Sequence, residues 1–218
     1  TSEALAQTPP MGWNSFDSYG VYLHEQAALA NLEAMAEKLL PYGYEYFVID
    51  NGWFGEYTLQ EGTIFPAEKH AHDIRIDEYG YFLPSEVYFP NGLKPIAERC
   101  HELGLKFGVH LMRGIPRKAY EMDLPIKGTR YTAHDIANTN PEENCKWCHY
   151  CYAVDMSKPG AQQWYDGLIE HIASMGVDMI KYDDIVAHPD EVEAVAKAIA
   201  RTGRPILLSL SPGNKIDP

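Results

Sequence analysis

The sequence predicts an α/β protein of the (β/α)8 TIM-barrel type, with about the first five strands of the barrel in this chain. Three observations predict it. An amphipathic helix, then a glycine, then a short apolar strand recurs four times. Parallel strands need a crossover, and that crossover is usually a helix. Each strand also ends in polar residues, and the carboxyl ends of barrel strands meet at one mouth, where active sites sit. A G-x-G-x-x-G loop, which would favour an open dinucleotide fold, does not occur in the sequence.

The elements follow in order. Met11 to Ser15 reads as a first strand, with Asn14 and Asp17 at its end. A helix near residues 25–40 places Leu29, Leu32, Met35, Ala36, Leu39 and Leu40 on one face. Pro41 and Gly43 stop it, and Tyr44 to Ile49 reads as strand, ending in Asp50 and Asn51. The second helix carries Leu93, Ile96, Ala97, Cys100 and Leu103; Leu105 to Leu111 follows, with His110 and Arg113 at its end. The third carries Trp164, Leu168, Ile172 and Met175, before Val177 to Tyr182 and the group Lys181, Asp183, Asp184. The fourth carries Val192, Val195, Ala196 and Ile199, before Ile206 to Leu210 with Ser209 and Ser211. The whole chain, 1–218, is expected to form one partial barrel catalytic domain. Its long connections, 52–92 and 112–157, are too apolar for disorder and are expected to fold over the mouth.

Composition narrows the function. Apolar residues make up 45% of the 218, enough to bury a real core. The formal net charge of −13 repels phosphate, so neither nucleic acid nor an anionic membrane is expected as a partner. No apolar run reaches the length of a membrane span, and residues 1–10 lack the basic and apolar blocks of a signal peptide. The compartment stays open between cytoplasmic and secreted.

The strongest chemical signal is Asp178 to Asp184. Strand alternation puts Met179, Lys181 and Asp183 on one face, which a barrel points inward. An ammonium near a carboxylate keeps it ionised, as a nucleophilic carboxylate must be. A buried structural ion pair has the same spacing. His110 and Arg113 form a second group, the latter offering a fork for a carboxylate or for sugar hydroxyls. Trp13, beside Asn14 and Asp17, is either a ring for stacking on a sugar or a core residue. Cys145, Cys148 and Cys151, with His149, form a C-x2-C-x2-C run. Its thiols fit a metal site weakly, for want of a second C-x2-C pair, and fit a disulfide or free thiols as well. No cofactor is expected.

These motifs together resemble glycoside hydrolase family 27, the α-galactosidases and α-N-acetylgalactosaminidases. Pro9 to Phe16 resembles its first strand, and Gly43 to Trp53, including Asp50, Asn51 and Trp53, its second. Lys106 to His110 resembles the third, Lys181 to Asp184 the fourth, and Leu207 to Ser211 the fifth. Gly104 to Arg117 is similar to a bacterial branch of the family. The resemblance implies a carbohydrate substrate and a retaining hydrolysis of α-linked galactosides or N-acetylgalactosaminides by double displacement. It places the nucleophile on Asp183, the lysine beside the sugar on Lys181, the stacking ring on Trp13 and the hydroxyl-binding acid on Asp50. Asn51, Trp53, His110, Arg113, Asp184 and Ser211 complete the expected substrate-binding set. Three of these positions depart from the family's pattern. Asn51 replaces an acid, His110 a tyrosine, and Ser211 stands where N-acetylgalactosaminidases carry serine and galactosidases glutamate. The family's acid/base aspartate lies beyond its sixth strand. This chain is therefore expected to be the N-terminal part of a longer enzyme, with its acid/base residue beyond the chain's end. Two open sheet edges would favour self-association or docking of the remaining half of the barrel. The alternatives are an inactive sugar- or metal-binding barrel fragment, and a lyase forming a Schiff base on Lys181.

Overall fold

The computed structural model describes residue 5, residues 7–63 and residues 73–212; part of the first long connection, 64–72, lies outside them. Five parallel strands form one sheet in the order β1-β2-β3-β7-β8. They are β1 (Gly12–Asn14), β2 (Tyr46–Ile49), β3 (Lys106–Met112), β7 (Met179–Asp183) and β8 (Leu207–Leu210). Each neighbour in space is the next of these strands in sequence, joined through helices, as a barrel requires. The helices are α1 (Phe16–Tyr19), α2 (Glu25–Lys38), α3 (Lys94–Glu102), α4 (Arg117–Glu121), α5 (Ala133–Ile136), α6 (Ala161–Ser174) and α7 (Pro189–Thr202). The fold is thus a partial α/β TIM barrel with five parallel strands.

Two apolar layers hold it. On the outer side, Phe47, Ile49, Phe107, Val109, Ile180 and Tyr182 alternate out of the strands into a continuous core with the helices. There α2 contributes Ala28, Leu32 and Met35, and α6 contributes Trp164, Leu168 and Ile172. On the inner side, Tyr46, Val48 and Met179 cluster with Leu207. The register pairs Val48 with Gly108 and Gly108 with Met179, so inward-facing residues lie in rows across the sheet.

Strand boundaries differ from the sequence reading by one or two residues. Strand β2 starts at Tyr46, not Tyr44, because Leu40–Tyr42 forms a 3-10 turn closed by Gly43 in the left-handed region at φ 89°. Strand β7 reaches Asp183 because Arg113 N–H donates to its carbonyl at 3.1 Å, extending the ladder beyond Tyr182. On α7 the buried face is Glu191, Ala194, Val195 and Ala198, whereas Ala196 is exposed and Val192 and Ile199 are partly covered. The helix is rolled from the expected face because Glu191 turns inward to ionic partners described below.

The 112–157 connection holds structure that the sequence reading missed. Strands β4 (Ile115–Pro116), β5 (Ala137–Asn138) and β6 (Cys151–Val154) make a small antiparallel sheet in the order β4-β6-β5. Helix α5 opens with a capping box between Thr132 and Asp135. In the 52–92 connection, antiparallel bridges join Gly55 to Ile74 and Ile76 to Phe82, and Trp53, Phe54, Phe82 and Phe89 are buried. Among the described residues no helix is long and apolar enough to cross a membrane.

Candidate active site at the strand carboxyl ends

The inward parity of the sheet brings one set of polar side chains to the mouth. Asn14 follows Gly12 on β1, Asp50 follows Val48 after β2, and His110 follows Gly108 on β3. Lys181 and Asp183 follow Met179 on β7, and Ser211 follows Ser209 after β8. Two residues apart along a strand means the same face, so these groups converge where the sheet ends.

Asp183 is the centre of the first group and is only 7% exposed. Its Oδ2 lies 3.1 Å from His110 Nε2, and its Oδ1 accepts the Asp184 backbone N–H at 2.9 Å. A carboxylate can only accept, so Nε2 carries the shared proton. Burial alone would raise the Asp183 pKa. The His110 hydrogen bond and charge, the Ser211 hydroxyl and Lys181 outweigh it and bring the pKa down to about 2. Asp183 is therefore an anion at neutral pH.

Asp50 is the centre of the second group and is 2% exposed. Its Oδ2 accepts from Asn14 Nδ2 at 2.6 Å and from Lys181 Nζ at 2.7 Å, and its Oδ1 accepts from Asn51 N–H at 2.7 Å. Burial works against the charge here too, but His110 and Lys181 prevail, so the pKa is lowered. Ser15, itself buried, receives the Asp50 N–H on its hydroxyl and donates its own N–H to Val48. The turn beyond is tight: Gly52 sits at φ 107°, and a Cβ there would lie 2.5 Å from the Val21 carbonyl oxygen.

The structure gives several of the expected residues partners within the protein. Trp13 has the opposite parity to Asn14 and stacks on Phe47, with centroids 5.1 Å apart, on the helix-facing side. The aromatic ring near the mouth cation is Phe16, 5.9 Å from Lys181 Nζ, which the sequence reading passed over. Trp53 is 1% exposed and donates its Nε1–H to the His110 carbonyl, so it braces β3 and has no face for a sugar. Arg113 is 4% exposed, and all three of its side-chain nitrogens are engaged by protein. Those partners are Asp184, Glu143 and Glu191, so its fork meets carboxylates and carbonyls of this chain, not sugar hydroxyls. Asp184 spends its carboxylate on Arg113 at 3.0 Å. Asn51 is buried and accepts the Tyr150 hydroxyl proton at 2.6 Å. The sequence reading also missed Glu191; an acid among Ala194, Val195 and Ala198 on one apolar helix face was the available signal.

The cysteine run lies inside the apolar core. Cys145, Cys148 and Cys151 are buried free thiols, and so is Cys100. Among the described residues no three His, Cys, Asp or Glu side chains could hold a metal ion. Burial pushes the Cys145 thiol up to about 12 and raises the Cys148 and Cys151 thiols as well, against the thiolate that metals bind.

Concavity and chemistry coincide only partly. A hollow of about 200 Å³ on the inner face has Asn14, Tyr46, Lys181 and Ser209 in its lining. A larger groove of about 620 Å³ runs along α7 and β8 and contains none of the mouth residues. The larger one is lined by Leu5, Ile199, Ile206 and Leu208 and is apolar flank, so the site is assigned from the convergent polar groups.

Comparison with known proteins identifies the family of the fold. Residues 11–203 match the family described as "Glycosyl hydrolases family 31 TIM-barrel domain". The chain is similar to the crystal structure of a family 27 β-L-arabinopyranosidase from Geobacillus stearothermophilus. The identity is 43% and the TM-score 0.88, over 99% of this chain and 50% of that one. It is 29% identical to α-galactosidase A of Cellvibrio japonicus over 95% of this chain and 39% of that protein. It is 26% identical to an α-galactosidase of Cyamopsis tetragonoloba over 98% of this chain and 40% of that protein. The chain thus spans half or less of the length of these relatives. With the match running from the first strand to the end of the last helix, the chain belongs to the glycosyl hydrolase TIM-barrel family, of the type shared by families 27 and 31.

Proposed function

We propose that this chain supplies the nucleophile side of a retaining glycosidase, with Asp183 attacking the anomeric carbon. The observation that carries the reading is the Asp183 carboxylate: at the end of an inner barrel strand, hydrogen-bonded through both oxygens and held ionised at neutral pH. Attack expels the aglycone and leaves a glycosyl ester on Asp183, which water then hydrolyses with a second inversion. Retention needs a second carboxyl group about 5 Å away to protonate the leaving oxygen. Asp50 does not suit that role, because Lys181 and His110 hold it ionised. The resemblance to family 27 puts the acid/base beyond the sixth strand, so it is assigned outside this chain.

The sugar is assigned by shared stereochemistry. β-L-Arabinopyranose has the ring configuration of α-D-galactopyranose without the hydroxymethyl group. The similar structures include a β-L-arabinopyranosidase, one form of which was solved with arabinose. A substrate of this common ring configuration, β-L-arabinopyranoside or α-D-galactoside, is the best-supported reading. Lys181, part-exposed with one N–H on Asp50, keeps two donors for its hydroxyls. The N-acetylgalactosaminide expectation rested on Ser211, whose hydroxyl is engaged by Asp183, so that sugar ranks behind the other two. The Schiff-base reading is disfavoured as well, since Lys181 makes a 2.7 Å ion pair with a buried carboxylate, the contact of an ammonium and not of a free amine.

The test is covalent trapping. The full-length protein is incubated with activated 5-fluoro-β-L-arabinopyranosyl and 5-fluoro-α-D-galactosyl fluorides and weighed intact. One sugar adduct mapping to Asp183, absent in Asp183→Asn, is expected. An adduct on another residue, or one that survives the substitution, refutes the assignment.

A further inference from the structure

Behind the mouth lies a buried ionic cluster that the double displacement does not use. Arg113 and Glu191 pair at 2.8 Å, with side chains 2% exposed each. Glu191 is fixed in turn: its Oε1 accepts from the Tyr165 hydroxyl at 2.6 Å and from Val154 N–H at 3.2 Å. The guanidinium then grips one residue twice. Arg113 Nε donates to the Asp184 carbonyl at 2.7 Å, and Nη2 donates to the Asp184 carboxylate at 3.0 Å. Its backbone N–H holds the Asp183 carbonyl at 3.1 Å. The peptides on both sides of Asp184 are therefore tied to Arg113.

Asp184 is also conformationally unusual. Its φ is 57°, and among the described residues only Asp123 shares a positive φ without being glycine. The left-handed region is unfavourable for a residue with a side chain, and persists where surroundings over-determine it. In this conformation the Asp184 N–H reaches Asp183 Oδ1 at 2.9 Å, while His110 holds Oδ2. The carboxylate is thereby prevented from turning.

We propose that Arg113 and Glu191 are positioning residues for the nucleophile: they clamp Asp184 in the left-handed conformation that aims its N–H at Asp183 Oδ1. This rests on the reading of Asp183 as the nucleophile. In-line attack needs one oxygen aligned on the anomeric carbon, and misplacement by about 1 Å costs about 100-fold. The same N–H bond favours the ionised carboxylate, so losing it raises the pH at which Asp183 becomes anionic. The other groups facing Asp183 are His110 from β3, Lys181 from β7, Asp50 after β2 and Ser211 after β8, and none of them changes in the variants.

The test compares Asp184→Gly with Asp184→Ala, which lose the same carboxylate but differ in tolerance of positive φ, beside Asp184→Asn and Arg113→Lys. Rates of fluoroglycoside labelling and the acid limb of kcat/KM are measured in the full-length protein. Glycine and asparagine are expected to keep the acid limb in place. Alanine and Arg113→Lys are expected to move it to higher pH and to slow labelling, by about 10- to 100-fold for Arg113→Lys. Equal behaviour of glycine and alanine overturns the clamp, as does an active Arg113→Lys with an unmoved acid limb. If Arg113→Lys fails to fold, the glycine–alanine pair decides alone. Wild-type protein that labels away from Asp183 overturns the nucleophile reading instead, so the two failures are distinct.

Discussion

Replacing Lys181 with methionine should destabilise the protein in a pH-dependent way. The substitution keeps the apolar stem and removes the cation that sits 2.7 Å from the buried Asp50 carboxylate. Removing one partner of a buried pair costs about 3–5 kcal/mol, because the other charge stays buried. Two features place this case at or below the low end. Lys181 is itself 28% exposed, and Asp50 keeps Asn14 Nδ2 and Asn51 N–H as donors. The expected loss is about 2–3 kcal/mol at pH 7. Asp50 has its pKa lowered in the folded state, so its contribution is present above the unfolded value and is lost as pH falls through the folded one. In the variant the folded pKa rises. The difference from wild type should therefore be full at pH 7 and shrink as pH falls below about 4. Urea unfolding followed by tryptophan fluorescence measures it, in a cycle with Asp50→Asn. A coupling energy under about 0.5 kcal/mol, or a Lys181→Met penalty equal at pH 7 and pH 3, refutes the reasoning.

The remaining predictions concern shape and reactivity. Gly114→Ala puts a Cβ 1.9 Å from the Tyr152 carbonyl oxygen, at φ 103°; a loss of about 3 kcal/mol or more is expected, read as a fall in urea midpoint or in folded yield. None of the four cysteines should react with iodoacetamide at pH 8 in the folded protein. All are buried, and the Cys100 and Cys145 thiols are pushed up to about 12; all four should react in urea, and peptide mass mapping counts them. Phe16→Ala should lower kcat/KM on a 4-nitrophenyl glycoside while costing about 1 kcal/mol of stability or less. Trp13→Ala should do the reverse, since its ring is packed on Phe47; thermal unfolding and steady-state kinetics separate the two.

The sequence carried the sheet and the mouth because both depend on a period of two. Phe47 and Ile49 face the helices, Tyr46 and Val48 face inward, and Asp50 continues the inward row. The same parity fixes Trp13: with Asn14 inward on Asp50, its neighbour must face out. That inference was open to the sequence, and the resemblance of Trp13 to a stacking residue overrode it. Other features were not open to it. Strands β4, β5 and β6 are two to four residues long, too short for any period to register. Arg113 is engaged by Glu191, 78 residues further on and in the first turn of α7. No local pattern around residue 113 reports a partner at that distance.

Two buried carboxylates meet at His110, and they differ in the donors that hold them. Asp50 lies 4.0 Å from Nε2 and Asp183 3.1 Å. Asp50 accepts from Asn14, Lys181 and Asn51, and its side chain is 2% exposed. Each donor lowers the energy of a lone pair that attack would need, and together they leave little of the group open. Asp183 accepts from His110 and the Asp184 N–H, neither of them a lysine or arginine, and its side chain is 10% exposed. It is ionised yet less tightly neutralised, which is the state a nucleophilic carboxylate needs. Lys181 then has a distinct task. By neutralising Asp50 it keeps a second full negative charge from raising the Asp183 pKa across the width of one imidazole, so that His110 can serve Asp183.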